Sequence, residues 1–158
     1  MKKALFYLLQ WTWGISQNMV GLIGYLALHK HRHEHYHGAV VTYVDTQNKH
    51  FGGVSLGMFV FINANTTESY RHDTRIHETG HCIQSLLLGP LYWLAVALPS
   101  ALWCNAPFFA KMHGTKETKY LYYKLYCEGW ANIWGVAWTG EQFVSADMLK
   151  GGRYGKPW

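Results

Sequence analysis

The stretch His77-Glu78-Thr79-Gly80-His81-Cys82-Ile83-Gln84-Ser85 decides how this chain is read, because its first five residues match the pattern H-E-x-x-H. On a helix, residues four apart point from one face. The imidazoles of His77 and His81 can therefore converge on one metal ion, with Glu78 standing beside it. A zinc ion with an open coordination position brings the pKa of a bound water to about 7, and Glu78 is placed to take the proton. Catalytic zinc generally takes three protein ligands, so the pentapeptide asks for one more.

Downstream, the segment 116–138 reads as a helix that carries one carboxylate, Glu128, in an apolar setting. Glu128 and Asn132 are four apart and share a face, as the two histidines do. Glu128 is the expected third ligand. Asn132 is expected to accept a hydrogen bond from the far nitrogen of a liganding histidine, which would set its tautomer and orientation. The competing reading of Glu128 is a helix-capping or ion-paired glutamate. Glu117, Glu141 and Asp147 are the other downstream acids, and they sit in more polar, loop-like contexts.

This arrangement resembles the gluzincins, the thermolysin-like zinc metallopeptidases, in which H-E-x-x-H is followed on a later helix by E-x-x-x-D. Asn132 stands where that family has aspartate, and so offers a carbonyl acceptor without charge. Four longer segments, Gly52–Gly57, His77–Ser85, Leu88–Tyr92 and Glu128–Asn132, also resemble a group of small bacterial membrane-associated HExGH proteins with a hydrophobic N-terminus. The resemblance implies Zn2+ on His77, His81 and Glu128, Glu78 as the catalytic base, and a polypeptide substrate. An oxyanion donor would come from Tyr122, Tyr123, Tyr126, His72, Arg75 or His113.

Composition adds a second theme. Charged residues make up 15% of the 158 residues and aromatics 16%, an unusual balance for a soluble domain. Many of the eight Trp and eleven Tyr lie beside apolar runs, which suits a membrane interface. The net charge of +5 fits contact with anionic lipid. A basic chain also raises nucleic acid as a partner, but there is no compact Lys/Arg stripe and no recognition motif, so none is expected. Cys82, Cys104 and Cys127 form no C-x-x-C pair and read as free thiols.

From Ala4 to Leu28 no residue is charged. At 1.5 Å per residue this run spans about 37 Å, enough for a bilayer core of about 30 Å. A hydrophobic membrane helix is therefore expected over 4–28, and with it a membrane location, by resemblance the bacterial inner membrane. Gln10, Gly14, Gln17, Asn18, Gly21 and Gly24 follow three-and-four spacing, so this polar, small-residue face should pack against protein. The competing reading is a buried helix of a soluble domain. Residues 82–110 are also free of charge, but a crossing there would separate His77 and His81 from Glu128. Gly89-Pro90 and Pro99 leave only Leu91 to Leu98 uncut, about 12 Å of helix, so a re-entrant or interfacial helical hairpin is expected.

His29, His31, His33, His35 and His37 alternate. On one strand face they would line up rather than converge, which favours a solvated juxtamembrane segment over a metal buffer. Ala39–Val44 and Val54–Ile62 are rich in β-branched and aromatic residues around the turn-like 45–49, and read as a β-hairpin over 38–63. Gly53–Gly57 suits either an ordinary paired strand or one that holds an extended substrate. The chain thus reads as one α+β domain, 1–158, with the membrane helix, the hairpin, an active-site helix over 72–88, the apolar helical hairpin and the ligand helix over 116–138. The function expected is a small membrane-anchored zinc metallopeptidase, a hydrolase. The alternatives are a non-catalytic membrane protein with structural zinc and a histidine-rich metal-handling protein.

Overall fold

The structure is a computed structural model that describes residues 2–48, 50–106 and 122–145. In chain order the described elements are α1 (Lys2–Thr12), α2 (Ile15–Ala27), β1 (Arg32–Tyr36), β2 (Ala39–Val44), β3 (Gly53–Leu56), β4 (Phe59–Asn63), α3 (Glu68–Leu88), α4 (Leu98–Cys104) and α5 (Tyr126–Thr139). A short 3₁₀ turn (Gly89–Leu91) and a π turn (Trp93–Ala97) join α3 to α4. The fold is α+β, with the strands in the order β1-β2-β4-β3.

The central strand β4 is buried throughout, and its alternation sets the layers. Val60 and Ile62 join Ala39, Val41 and Tyr43 in a cluster that Cys82 of α3 covers. Phe59 and Phe61 point to the other face, where they meet α2: a Cβ at Gly21 would come within 2.8 Å of the Phe59 ring, and one at Gly24 within 2.9 Å of Phe61. The sheet is therefore sandwiched between α2 and α3. On its far side α3 receives α5.

The 4–28 membrane helix is overturned. The helix breaks at Trp13-Gly14 into pieces of 11 and 13 residues, about 16 and 20 Å long. Among the described residues no helix is long and apolar enough to cross a membrane. The polar face provides the physical reason, because its amides bind neighbouring backbone instead of facing along one straight helix. Gln10 Nε2 donates to Cys82 O (3.3 Å), Gln17 Nε2 to Gly89 O (2.5 Å) and Asn18 Nδ2 to Gln10 O (2.6 Å). Asn18 Oδ1 accepts from the backbone N–H of Met58 (2.7 Å), clamping α2 to the β3–β4 turn.

The hairpin over 38–63 is overturned as well. β2 and β4 are parallel neighbours, Val40 opposite Phe59. The apolar run 54–62 hides a turn at Gly57-Met58, where Gly57 takes φ +63°, so it is itself the β3–β4 hairpin. A second hairpin precedes it. β1 pairs antiparallel with β2 around His37 and Gly38, both at positive φ as a two-residue turn requires. Only His33 and His35 of the five alternating histidines lie in β1.

The expected helical hairpin over 82–110 is replaced, as far as Ala106, by the bent run that ends in α4. Gly89 at φ +52° ends α3, Pro90 opens the next turn, and Pro99 offers no N–H to the widened turn before it. The helix expected over 72–88 starts earlier, because Thr67 caps it by accepting from Tyr70 N (3.3 Å). The ligand helix begins at Tyr126, and residues 116–121 of the expected helix lie outside the described residues.

Glycine governs how closely α3 and α5 approach. A Cβ at Gly80 would stand 1.8 Å from Ala131 O, and one at Gly135 would stand 2.1 Å from Ile76 O. Gly80→Ala is expected to cost about 3 kcal/mol or more in urea denaturation, since backbone on the facing helix must move. Gly140→Ala meets no neighbour but keeps a φ of +75°, and should cost only about 1 kcal/mol.

Candidate metal centre

The two glycine contacts set the register of the antiparallel pair α3–α5: Ile76 meets Gly135 and Gly80 meets Ala131. His77 and His81 lie one residue on from Ile76 and Gly80, so their faces oppose the Glu128–Asn132 face of α5. One nitrogen from each histidine and one Glu128 oxygen lie within 4.8 Å of each other, in a buried group that could hold a metal ion.

The hydrogen bonds around this group orient its lone pairs. His77 Nδ1 lies 2.7 Å from Asn132 Oδ1, and His81 Nδ1 lies 2.6 Å from Gln84 Oε1. Gln84 cannot be turned the other way, because its Nε2 donates to Cys127 O at 2.7 Å. In a neutral ring His81 Nδ1 therefore carries the proton and its Nε2 presents a lone pair inward, and with Asn132 Oδ1 as acceptor His77 is set the same way. They face Glu128 Oε2 at 3.1 and 3.4 Å. That oxygen is buried and has no hydrogen-bond partner. Three acceptors converging without a donor suit a cation, and two imidazoles with one carboxylate are a donor set that zinc accepts.

Without metal, a proton takes that place. Burial works against a charged His81, but the Glu128 carboxylate and hydrogen bonds to Glu128 and Gln84 outweigh it and raise its pKa to about 9. Burial likewise disfavours the Glu128 anion, yet His81 and His77 hold its carboxyl well below the usual range. Glu78 is different. Burial pushes its carboxyl up despite the two histidines, and its Oε2 has no hydrogen-bond partner. Gly53 of β3 passes directly over it, where a Cβ would come within 2.9 Å of Glu78 Oε1.

Among the oxyanion candidates, Tyr123 sets its ring edge against His77, with centroids 5.4 Å apart. Tyr122 packs on Tyr123 in turn, at 5.2 Å. Tyr126 donates instead to Ala95 O. His72 binds Asp73 and Glu141. Arg75 binds Glu34 and the Tyr43 hydroxyl, and His113 lies outside the described residues. The alternating histidines do not converge either: His33 Nδ1 lies 2.9 Å from Thr42 Oγ1, and His37 Nε2 lies 2.9 Å from Glu141 Oε1. Sequence reasoning missed Gln84. Its signal was its place three residues after His81 on the same helix.

A proton held between His81 and Glu128 must leave when metal enters, so metal affinity should rise with pH up to about 9. Chelator-treated protein should show the linked stability effect. His81 is raised, so its contribution is complete below its unfolded pKa of about 6.5 and is lost as pH climbs through about 9. The Tm of the chelated protein should accordingly fall between pH 6.5 and 9, and a flat or rising Tm there would contradict the assignment. No family model, curated protein or solved structure matches the chain.

Proposed function

We propose that this chain is a zinc-dependent peptide-bond hydrolase of gluzincin type, with His77, His81 and Glu128 as ligands and Glu78 as general base. The observation that carries this reading is the buried, partnerless Glu128 Oε2 facing two inward imidazole nitrogens. A bound zinc ion supplies a Lewis acid for a scissile carbonyl and acidifies a water. Glu78 takes the proton from that water and returns it to the leaving amine. Its burial and its unpartnered Oε2 support this role, since a carboxyl raised above its ordinary value exchanges protons more readily near neutrality.

Tyr123 serves as the donor to the developing oxyanion in this reading. Burial holds its hydroxyl well above its usual pKa, and so in the donating form. The polypeptide preference is supported by β3, an edge strand of the described sheet that passes over Glu78 and can pair with an extended chain.

A structural metal is the second reading, favoured by the near-complete burial of all three ligands. Metal analysis of the purified chain separates the readings. One zinc per chain is expected, lost in His77→Ala and Glu128→Ala and unchanged when residues 29–37 are replaced by a Gly/Ser linker. Glu78→Gln should keep the zinc and lower cleavage of an unstructured protein substrate roughly a thousandfold. Tyr123→Phe should lower kcat about a hundredfold with zinc retained. Full zinc with four protein ligands by X-ray absorption, and no cleavage by the wild type, would establish the structural reading instead.

A further inference from the structure

Helices α1 and α2 are inverted relative to a helix that faces water. Their inward positions are Phe6, Gln10, Gly14, Gln17, Asn18 and Gly21, with the amides bonded to backbone. Their outward positions include Leu5, Leu8, Trp11, Ile15, Met19, Val20, Ile23 and Leu26, all exposed, Ile23 by 64%. An amphipathic helix on a water-soluble domain places these two sets the other way round.

A second row continues the same surface. Leu87, Leu91, Leu94, Leu98 and Leu102 follow one another at intervals of four, three, four and four residues, a helical stripe carried across the bent run from the end of α3 through α4. All five are at least half exposed, Leu94 by 69%. The two rows are joined at the start of α2. Trp93 Nε1 donates to Ser16 Oγ (3.1 Å), Gln17 Nε2 to Gly89 O (2.5 Å), and Trp13 packs where a Gly89 Cβ would stand. No charged residue occurs in 4–28 or 82–106. A row of exposed apolar residues of this kind, free of charge, marks an interaction site.

We propose that this joined surface of α1, α2 and the leucine row is a docking face for an anionic phospholipid bilayer, entering one leaflet without crossing it. Three observations choose lipid over a second copy of the chain. The surface carries exposed Trp11, Trp13 and Tyr7, the rings that settle at the level of headgroups. Exposed Lys30 follows α2 directly, and the chain's net charge of +5 complements anionic lipid. The amide nitrogens of Gln10, Gln17 and Asn18 all donate inward to backbone carbonyls, so immersion of the outer face strands none of these donors. The inference stands on this surface alone and is independent of the metal centre.

Flotation of the full-length protein with vesicles of phosphatidylcholine and phosphatidylglycerol tests it. The wild type is expected to float with the vesicles, with tryptophan emission shifted to the blue and quenched by lipids brominated near the top of the acyl chain. Ile23→Glu on α2 and, separately, Leu94→Glu with Leu98→Glu should each weaken partitioning about tenfold or more. Val144→Glu, exposed but off this face, should leave it unchanged. Far-UV circular dichroism confirms that each variant is folded, and the wild-type quenching result stands without any variant. Wild-type protein that stays with the aqueous fraction would overturn the proposal. So would vesicle-independent dimerisation abolished by the same substitutions, which would make a second copy the occupant.

Discussion

The close packing of α3 against α5 is the constraint on which the rest depends. Gly80 meets the carbonyl of Ala131 and Gly135 meets that of Ile76, so the two backbones come together with no side chain between them. Only at this separation can short side chains on one helix reach those on the other. Glu128 Oε2 then lies within 3.4 Å of both imidazole nitrogens, and Asn132 reaches His77 from one turn further on. A single methyl group at Gly80 would wedge the site apart, which gives the fourth residue of His77–His81 a role in the geometry as definite as that of the histidines.

The surroundings of the group explain why it stays ready for a cation. Asn132 and Gln84 each occupy a ring nitrogen of one histidine, and Gln84 is itself held by the Cys127 carbonyl. Neither acceptor is charged, so the imidazoles are oriented without being made strongly basic through that side. The charge that matters comes from Glu128, buried between them. Its negative charge in a site shielded from water lifts His81 to about 9 against the opposing effect of burial. With both imidazole rings neutral, no donor is aimed at that oxygen.

The first two helices follow a different logic from the rest of the molecule. Their amides turn inward to meet backbone groups of neighbouring elements: Gly89 O at the end of α3, Cys82 O within it, and Met58 N at a tight turn. This ties the sheet and α3 together through polar contacts, and leaves the outer face to apolar residues. The break at Trp13-Gly14 is part of the same arrangement, since a straight helix could not place Gln10 against α3 and Asn18 against the β3–β4 turn.

Much of the site was legible in the sequence because helical spacing is local. Four-residue intervals at His77–His81 and Glu128–Asn132 put each pair on one face whatever the rest of the chain does, and Gln10, Gln17 and Asn18 were readable in the same way as an inward face. What spacing could not carry was pairing between distant segments. A charge-free run of 25 residues has the same hydropathy whether it is straight or broken at Trp13-Gly14, and only contacts with α3 and the sheet select the break. Likewise 54–62 reads as one apolar strand until Gly57 takes positive φ, and β2 finds its parallel partner in β4 only because β3 turns back along the edge. The sequence by itself determined which side chains share a helix face, through a periodicity set by the backbone. Which faces meet was decided by the tertiary structure, through glycine-limited distances and buried amide bonds between residues as far as 72 positions apart.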